Sequence, residues 1–192
     1  MRTLHKPSTS TITNEVVQQF TYLGSTISDN LSLDAEISKR IGKAATTLGR
    51  LTTRAWENPK LTIPTKMAVY NACNISTLLC RSEACTTYFK LERKLNSLHM
   101  RSLHHILAIH WSDKVLNAQV LERAGFTTMF TLFRQRRLLW LGHVRRMEDG
   151  RIPKDILYGE FASDRRTVRR PQLRYKDVCK RDMKALDINT ES

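Results

Sequence analysis

Glycine and proline are scarce in this 192-residue chain, with seven of the first and five of the second. That excludes collagen-like and linker-like classes. No run of about 18 apolar residues occurs, so no transmembrane helix is expected. Residues 1–14 are rich in Thr and Ser and lack an apolar core, so they do not read as a secretory signal. Cys73, Cys80, Cys85 and Cys179 form no C-x-x-C pair. Reduced thiols in an intracellular protein of the nucleus or cytoplasm, not a secreted one, are the expectation.

Catalytic signatures are missing too. There is no G-x-x-x-x-G-K-[ST], G-x-G-x-x-G, G-x-S-x-G or H-E-x-x-H. Two-metal phosphoryl transfer needs clustered carboxylates. The close acidic pairs are Asp34/Glu36 and Glu148/Asp149. Glu36 reads as lying on a solvated helix face and Glu148/Asp149 as lying in a turn, so both pairs read as structural. His99, His104, His105 and His110 follow Cys80 and Cys85, but four residues separate the cysteines and His99 and His105 are six apart. Neither spacing suits a zinc site, and no metal is expected. The chain alone is not expected to be an enzyme.

Positive charge, in contrast, is abundant. Lys and Arg number 32 against 18 Asp and Glu, a net charge of +14. Such a balance favours anionic partners, nucleic acid first. The charge is uneven. Residues 1–133 carry net +7, residues 134–184 carry net +9, and the last eight carry −2. The electrostatic footprint is therefore expected in the C-terminal third. Arg165, Arg166, Arg169, Arg170, Arg174 and Lys176 lie in or just after a stretch with almost no apolar residue, 162–174. Guanidinium groups match phosphate geometry, so these are candidate backbone contacts. Arg136, Arg137, Arg145 and Arg146 decorate a helix around Trp140 and are further candidates. Trp140 itself reads mainly as a core residue beside Leu132, Phe133 and Val144, with base stacking as the other use of the ring.

Periodicity supplies the fold class. Residues 15–28 are rich in Val, Phe, Tyr, Thr and Ile around Gly24, which reads as two strands and a turn. From Ser32 onward the apolar spacing becomes helical: Ile37, Ile41, Ala44, Leu48 and Leu51 share one face. A second helix starts at Pro64. A third runs from about Tyr88 to Ile109, a fourth over 113–123 stopped by Gly125, and a fifth over 129–147. Arg151-Ile-Pro153 reads as the break that ends it, and Tyr175 to Leu186 as a last helix.

Taken in order, these segments resemble the C-terminal part of a non-LTR (LINE-type) retrotransposon endonuclease–reverse transcriptase. The resembling pieces include Phe20-Thr-Tyr22-Leu23-Gly24-Ser25, Tyr70-Asn71-Ala72, Thr77-Leu78-Leu79 with Glu83, and Trp111-Ser-Asp113-Lys114. Further pieces are Val120-Leu121-Glu-Arg-Ala124-Gly125, Leu139-Trp140-Leu-Gly142-His143-Val144-Arg-Arg146-Met147, Arg151-Ile-Pro153-Lys154 and Arg174-Tyr175-Lys176-Asp177. The order holds from about residue 16 to 187.

The resemblance implies that Tyr22, Leu23 and Gly24 belong to a primer-grip hairpin at the end of the palm. It implies a helical thumb and a basic C-terminal region that engages RNA or target DNA. The family is an RNA-directed DNA polymerase using Mg²⁺, but its palm, with the Tyr-x-Asp-Asp motif, and its endonuclease are absent here. No cofactor is therefore expected in this chain. Where relatives read Leu-Leu-Tyr-Gly-x-Glu-x-Trp, this chain reads Leu78-Leu79-Cys80-Arg81-Ser82-Glu83-Ala84-Cys85. Losing a buried aromatic costs about 3–5 kcal/mol, which raises the expectation of a decaying element copy.

The expected architecture is mainly α. Residues 1–31 hold a disordered N-terminus and the short β-hairpin, 32–110 a thumb-like helical bundle, 111–160 a small helical region, and 161–192 a basic tail with a last helix. The expected function is that of a polymerase fragment binding RNA, DNA or an RNA–DNA duplex with little sequence preference, and no membrane. A non-functional remnant and a helical protein–protein adaptor are the alternatives.

Overall fold

The computed structural model describes residues 18–22, 25–28, 33–84, 86–158 and 174–188. The chain is mainly helical. It opens with a β-hairpin in which β1 (Gln19–Tyr22) pairs antiparallel with β2 (Ser25–Ser28), Phe20 opposite Ile27. The helices are α1 (Asp34–Arg50), α2 (Ile63–Tyr70), α3 (Ser76–Leu78), α4 (Phe89–Ile106), α5 (Asn117–Ala124), α6 (Met129–Arg145), α7 (Ile152–Tyr158) and α8 (Tyr175–Ala185). Two π-helical stretches, Thr52–Trp56 and Asn71–Ile75, follow α1 and α2.

In α1 the apolar stripe does what its spacing predicts. Ile37 and Ala44 are buried, with Ile41 and Leu48 packed beside them. The carboxylate of Glu36 corrects the expectation of a solvated face. It is buried because the hairpin covers the first turn of α1. It accepts the Thr26 amide at 2.6 Å and Arg40 Nε at 2.8 Å. Burial alone pushes this carboxyl up, but the Thr26 amide and Arg40 outweigh it and hold it below the usual glutamate value. Lys39 adds contacts to the Thr21 and Thr26 hydroxyls, both at 3.2 Å.

Thr62 is extended and Pro64 sits in the first turn of α2, where its missing N–H costs nothing. Beyond α2 the backbone widens, and Asn74 there donates to Ala44 O at 3.0 Å, which docks the stretch on α1. Gly125 ends α5 in the left-handed conformation, φ 64°. Thr128 then caps α6 through the Thr131 amide. Pro153 does not simply break the chain. It lies in the first turn of α7, a start signal of the same kind as Pro64.

One cluster of buried side chains runs from Ile37 to Phe133, so positions on both sides of residue 110 share a core. Val144, Leu157, Val178 and Cys179 are buried around α6, α7 and α8. Inside the main cluster Tyr70 stacks on His99 at 5.8 Å, and Phe126 meets both rings edge-on. Cys80 is exposed, so this position is not part of the core. Cys85 lies outside the described residues.

Candidate nucleic-acid interface

The sequence points to arginines, and the structure divides them. Arg137 is corrected outright as a nucleic-acid contact, because it is 1% exposed. Its Nε donates to Asp182 at 2.7 Å, and its Nη1 donates to Glu92 at 3.1 Å and Thr87 at 3.0 Å. Burial alone would lower its pKa, but Asp182 and Glu92 hold the guanidinium charged. Arg134 approaches the other Asp182 oxygen at 3.5 Å. Two cations thus meet two carboxylates. The cluster joins α4, α6 and α8.

Arg136 is half-buried and donates to Leu79 O at 3.1 Å, which ties α6 to the end of α3. Arg145, Arg146 and Arg174 are exposed. Lys176 is half-buried, with its ammonium 5.0 Å from the centre of the Tyr158 ring. Arg165, Arg166, Arg169 and Arg170 lie outside the described residues, as do Leu23 and Gly24. Tyr22 stands at the end of β1, paired in register with Ser25. Trp140 is half-buried and packs edge-on against Tyr175 at 5.3 Å, so its ring is engaged with α8 rather than offered to a base.

Helix α8 is two-sided. Tyr175, Val178, Cys179 and Asp182 face inward, held by the ion cluster and by the Tyr175 hydroxyl. That hydroxyl lies 2.8 Å from Glu83 O and 3.1 Å from Arg137 O. Burial pushes the Tyr175 phenol up, and the adjacent Cys179 adds to it. Burial likewise raises the Cys179 thiol, so the sulfur is a neutral thiol at physiological pH.

The opposite side carries Lys176, Lys180 and Lys184, one every four residues. With Arg145 of α6 these lysines rim a groove of about 630 Å³. Leu141, Met183 and Ile188 are its apolar lining, and Asp187 is an acidic residue at its edge. Lys180 and Lys184 are functional candidates that the sequence reading passed over. Their signal was the fourfold spacing on a helix.

A second basic surface lies on α1. Lys39, Lys43 and Arg50 line a groove of about 580 Å³ with Thr46, Thr47 and Thr77. The Thr46 and Thr47 hydroxyls donate back to Gly42 O and Lys43 O, so this face is fixed by the helix itself.

His99 has its ring nitrogens committed. Nε2 faces Thr127 O at 3.2 Å and Nδ1 faces the Tyr70 hydroxyl at 3.0 Å. A carbonyl only accepts, so Nε2 carries the hydrogen and Nδ1 accepts from Tyr70. Among the described residues no group of three His, Cys, Asp or Glu side chains is placed to hold a metal ion. No described helix is long and apolar enough to cross a membrane. Comparison with known proteins finds no family model that matches, and no curated protein or solved structure matches either.

Proposed function

We propose that this chain is the thumb and post-thumb part of a LINE-type reverse transcriptase and binds nucleic acid through its phosphate backbone. The observation that carries the reading is the lysine row Lys176, Lys180 and Lys184 of α8, gathered with Arg145 on one groove. Arg146 and Arg174 add exposed positive charge at the end of α6 and the start of α8, and the sequence adds four arginines at 165, 166, 169 and 170. The basic face of α1 offers a second set of cations on the thumb-like region, where a template–primer duplex would lie. Separate patches of fixed positive charge give affinity with little sequence preference.

Arg81 also supports the family reading. Relatives carry Gly at this position, and here the arginine has φ 54°, the left-handed region that glycine enters freely. A side chain in that conformation costs about 1–2 kcal/mol.

The direct test of function is binding of an RNA–DNA primer–template duplex and of single strands to the purified chain and to Lys180→Ala/Lys184→Ala. The pair is expected to weaken binding about tenfold while helical content stays unchanged, since both side chains are exposed. Equal affinity contradicts the assignment of the α8 face. A second reading, a helical protein–protein adaptor, is favoured by Leu139, Ile152 and Ile156. Each is more than 70% exposed on α6 and α7.

A further inference from the structure

The α8 groove carries more than the positive charge that a duplex backbone needs. A double helix presents phosphates and base edges but hides the faces of its bases in the stack, so it has no base face to offer an aromatic ring. Here the cations share the lining with apolar side chains, Leu141, Met183 and Ile188, and with an aromatic ring, Tyr158. That ring sits at the end of α7 with 46% of its surface exposed. It is held by the Lys176 ammonium at 5.0 Å from its centre, a cation–π contact that keeps the ring at the groove wall. Apolar lining side chains and a half-exposed ring gain nothing from phosphate. They do gain from an unpaired base, because every base has a face to stack.

Resting on the nucleic-acid reading above, we propose that this groove binds single-stranded nucleic acid, with one base stacked on Tyr158 and the flanking phosphates on Lys180 and Lys184. The acidic lining residue, Asp187, lies beyond Lys184 beside Ile188 and repels phosphate there. The strand therefore runs from the α8 C-terminal turn towards Lys176 and Tyr158. Stacking is tolerant of base identity, so the site takes RNA or DNA strands without a strong sequence rule.

The experiment is fluorescence anisotropy with a labelled oligo-dT of about 12 nucleotides, a length within the range such sites cover. The same measurement is made with a duplex of equal length. The proteins are wild type, Tyr158→Ala and Tyr158→Phe. Stacking is worth about 1–3 kcal/mol per base, so Tyr158→Ala is expected to weaken single-strand binding about 5- to 150-fold. Duplex binding is expected to stay within about twofold, and Tyr158→Phe, which keeps the ring, to bind like wild type. Circular dichroism confirms that the variants keep their helices. The proposal is overturned if Tyr158→Ala binds oligo-dT as tightly as wild type, or if it loses duplex and single-strand affinity equally. If wild type binds neither probe, the nucleic-acid reading itself fails along with the proposal. If wild type binds and Tyr158→Ala binds both probes like wild type, that reading survives and the stacking site does not.

Discussion

Arg137→Met is expected to destabilise the protein by about 3–5 kcal/mol, the cost of leaving buried Glu92 without its cation and Asp182 with Arg134 alone at 3.5 Å. Asp182 and Glu92 are 1% and 8% exposed at their side chains, and Arg137 is 1% exposed, so water cannot take over the missing partner. A loss of that size is a large fraction of the about 5–15 kcal/mol by which domains are stable. It also releases α8, because Asp182 is that helix's charged anchor, and with it the lysine row. Removing the whole polar set is expected to be far milder. The combination Arg137→Met, Glu92→Leu, Asp182→Leu and Thr87→Val removes the three buried charges and the Thr87 hydroxyl together, and well-packed apolar replacements of buried ion pairs are often neutral or stabilising. Denaturant unfolding at neutral pH compares the two. A single variant that costs under about 1 kcal/mol contradicts the placement of this cluster.

The second large effect is a stability that falls on mild acidification. Burial holds His99 down to about 4, the Thr127 carbonyl opposing only in part. In the unfolded chain the ring titrates near 6.5. Between these two values the unfolded state binds more protons than the folded one, so stability rises with pH. The contribution is complete above about pH 6.5 and is lost as pH falls towards 4. At about 1.4 kcal/mol per pH unit the loss amounts to about 3 kcal/mol. Glu36 adds to acid sensitivity only below its unfolded value of 4.5, because its carboxyl is held low in the fold. His99→Gln keeps an oxygen for the Tyr70 hydroxyl and an amide for Thr127 O, but does not titrate. Its unfolding free energy is expected to be flat between about pH 4.5 and 6.5, where that of wild type slopes. Equal slopes for the two proteins contradict the account.

The long helices were legible because a 3.6-residue apolar period survives in the letters. Ile37, Ala44 and Leu48 mark α1, and Leu91, Leu95, Leu98 and Ile106 mark α4. The hairpin was legible from β-branched and aromatic residues around a glycine. Helix α7 was read as a break because proline both stops one helix and starts the next, and the letter alone does not say which. Glu36 and Arg137 were misplaced for one shared reason. Charged residues are solvated unless a partner far along the chain covers them. The partners of Arg137 lie 45 residues away in each direction, at Glu92 and Asp182, which no local spacing reveals. Lys180 and Lys184 were within reach of a helical count. The higher arginine density lies in the preceding stretch of sequence, 165–174.

The central claim is that the C-terminal third holds nucleic acid by its phosphates, and salt dependence tests it most directly. Binding of an RNA–DNA primer–template duplex is measured across about 50–300 mM salt, for wild type and for Arg165→Ala/Arg166→Ala/Arg169→Ala/Arg170→Ala. Each phosphate contact contributes about 0.7–0.9 to the slope of log affinity against log salt. Wild type is predicted to show a steep slope, and the fourfold variant to lose about 3 units of it. A chain that is helical by circular dichroism yet binds with no salt dependence, or keeps its full slope without these arginines, contradicts the account.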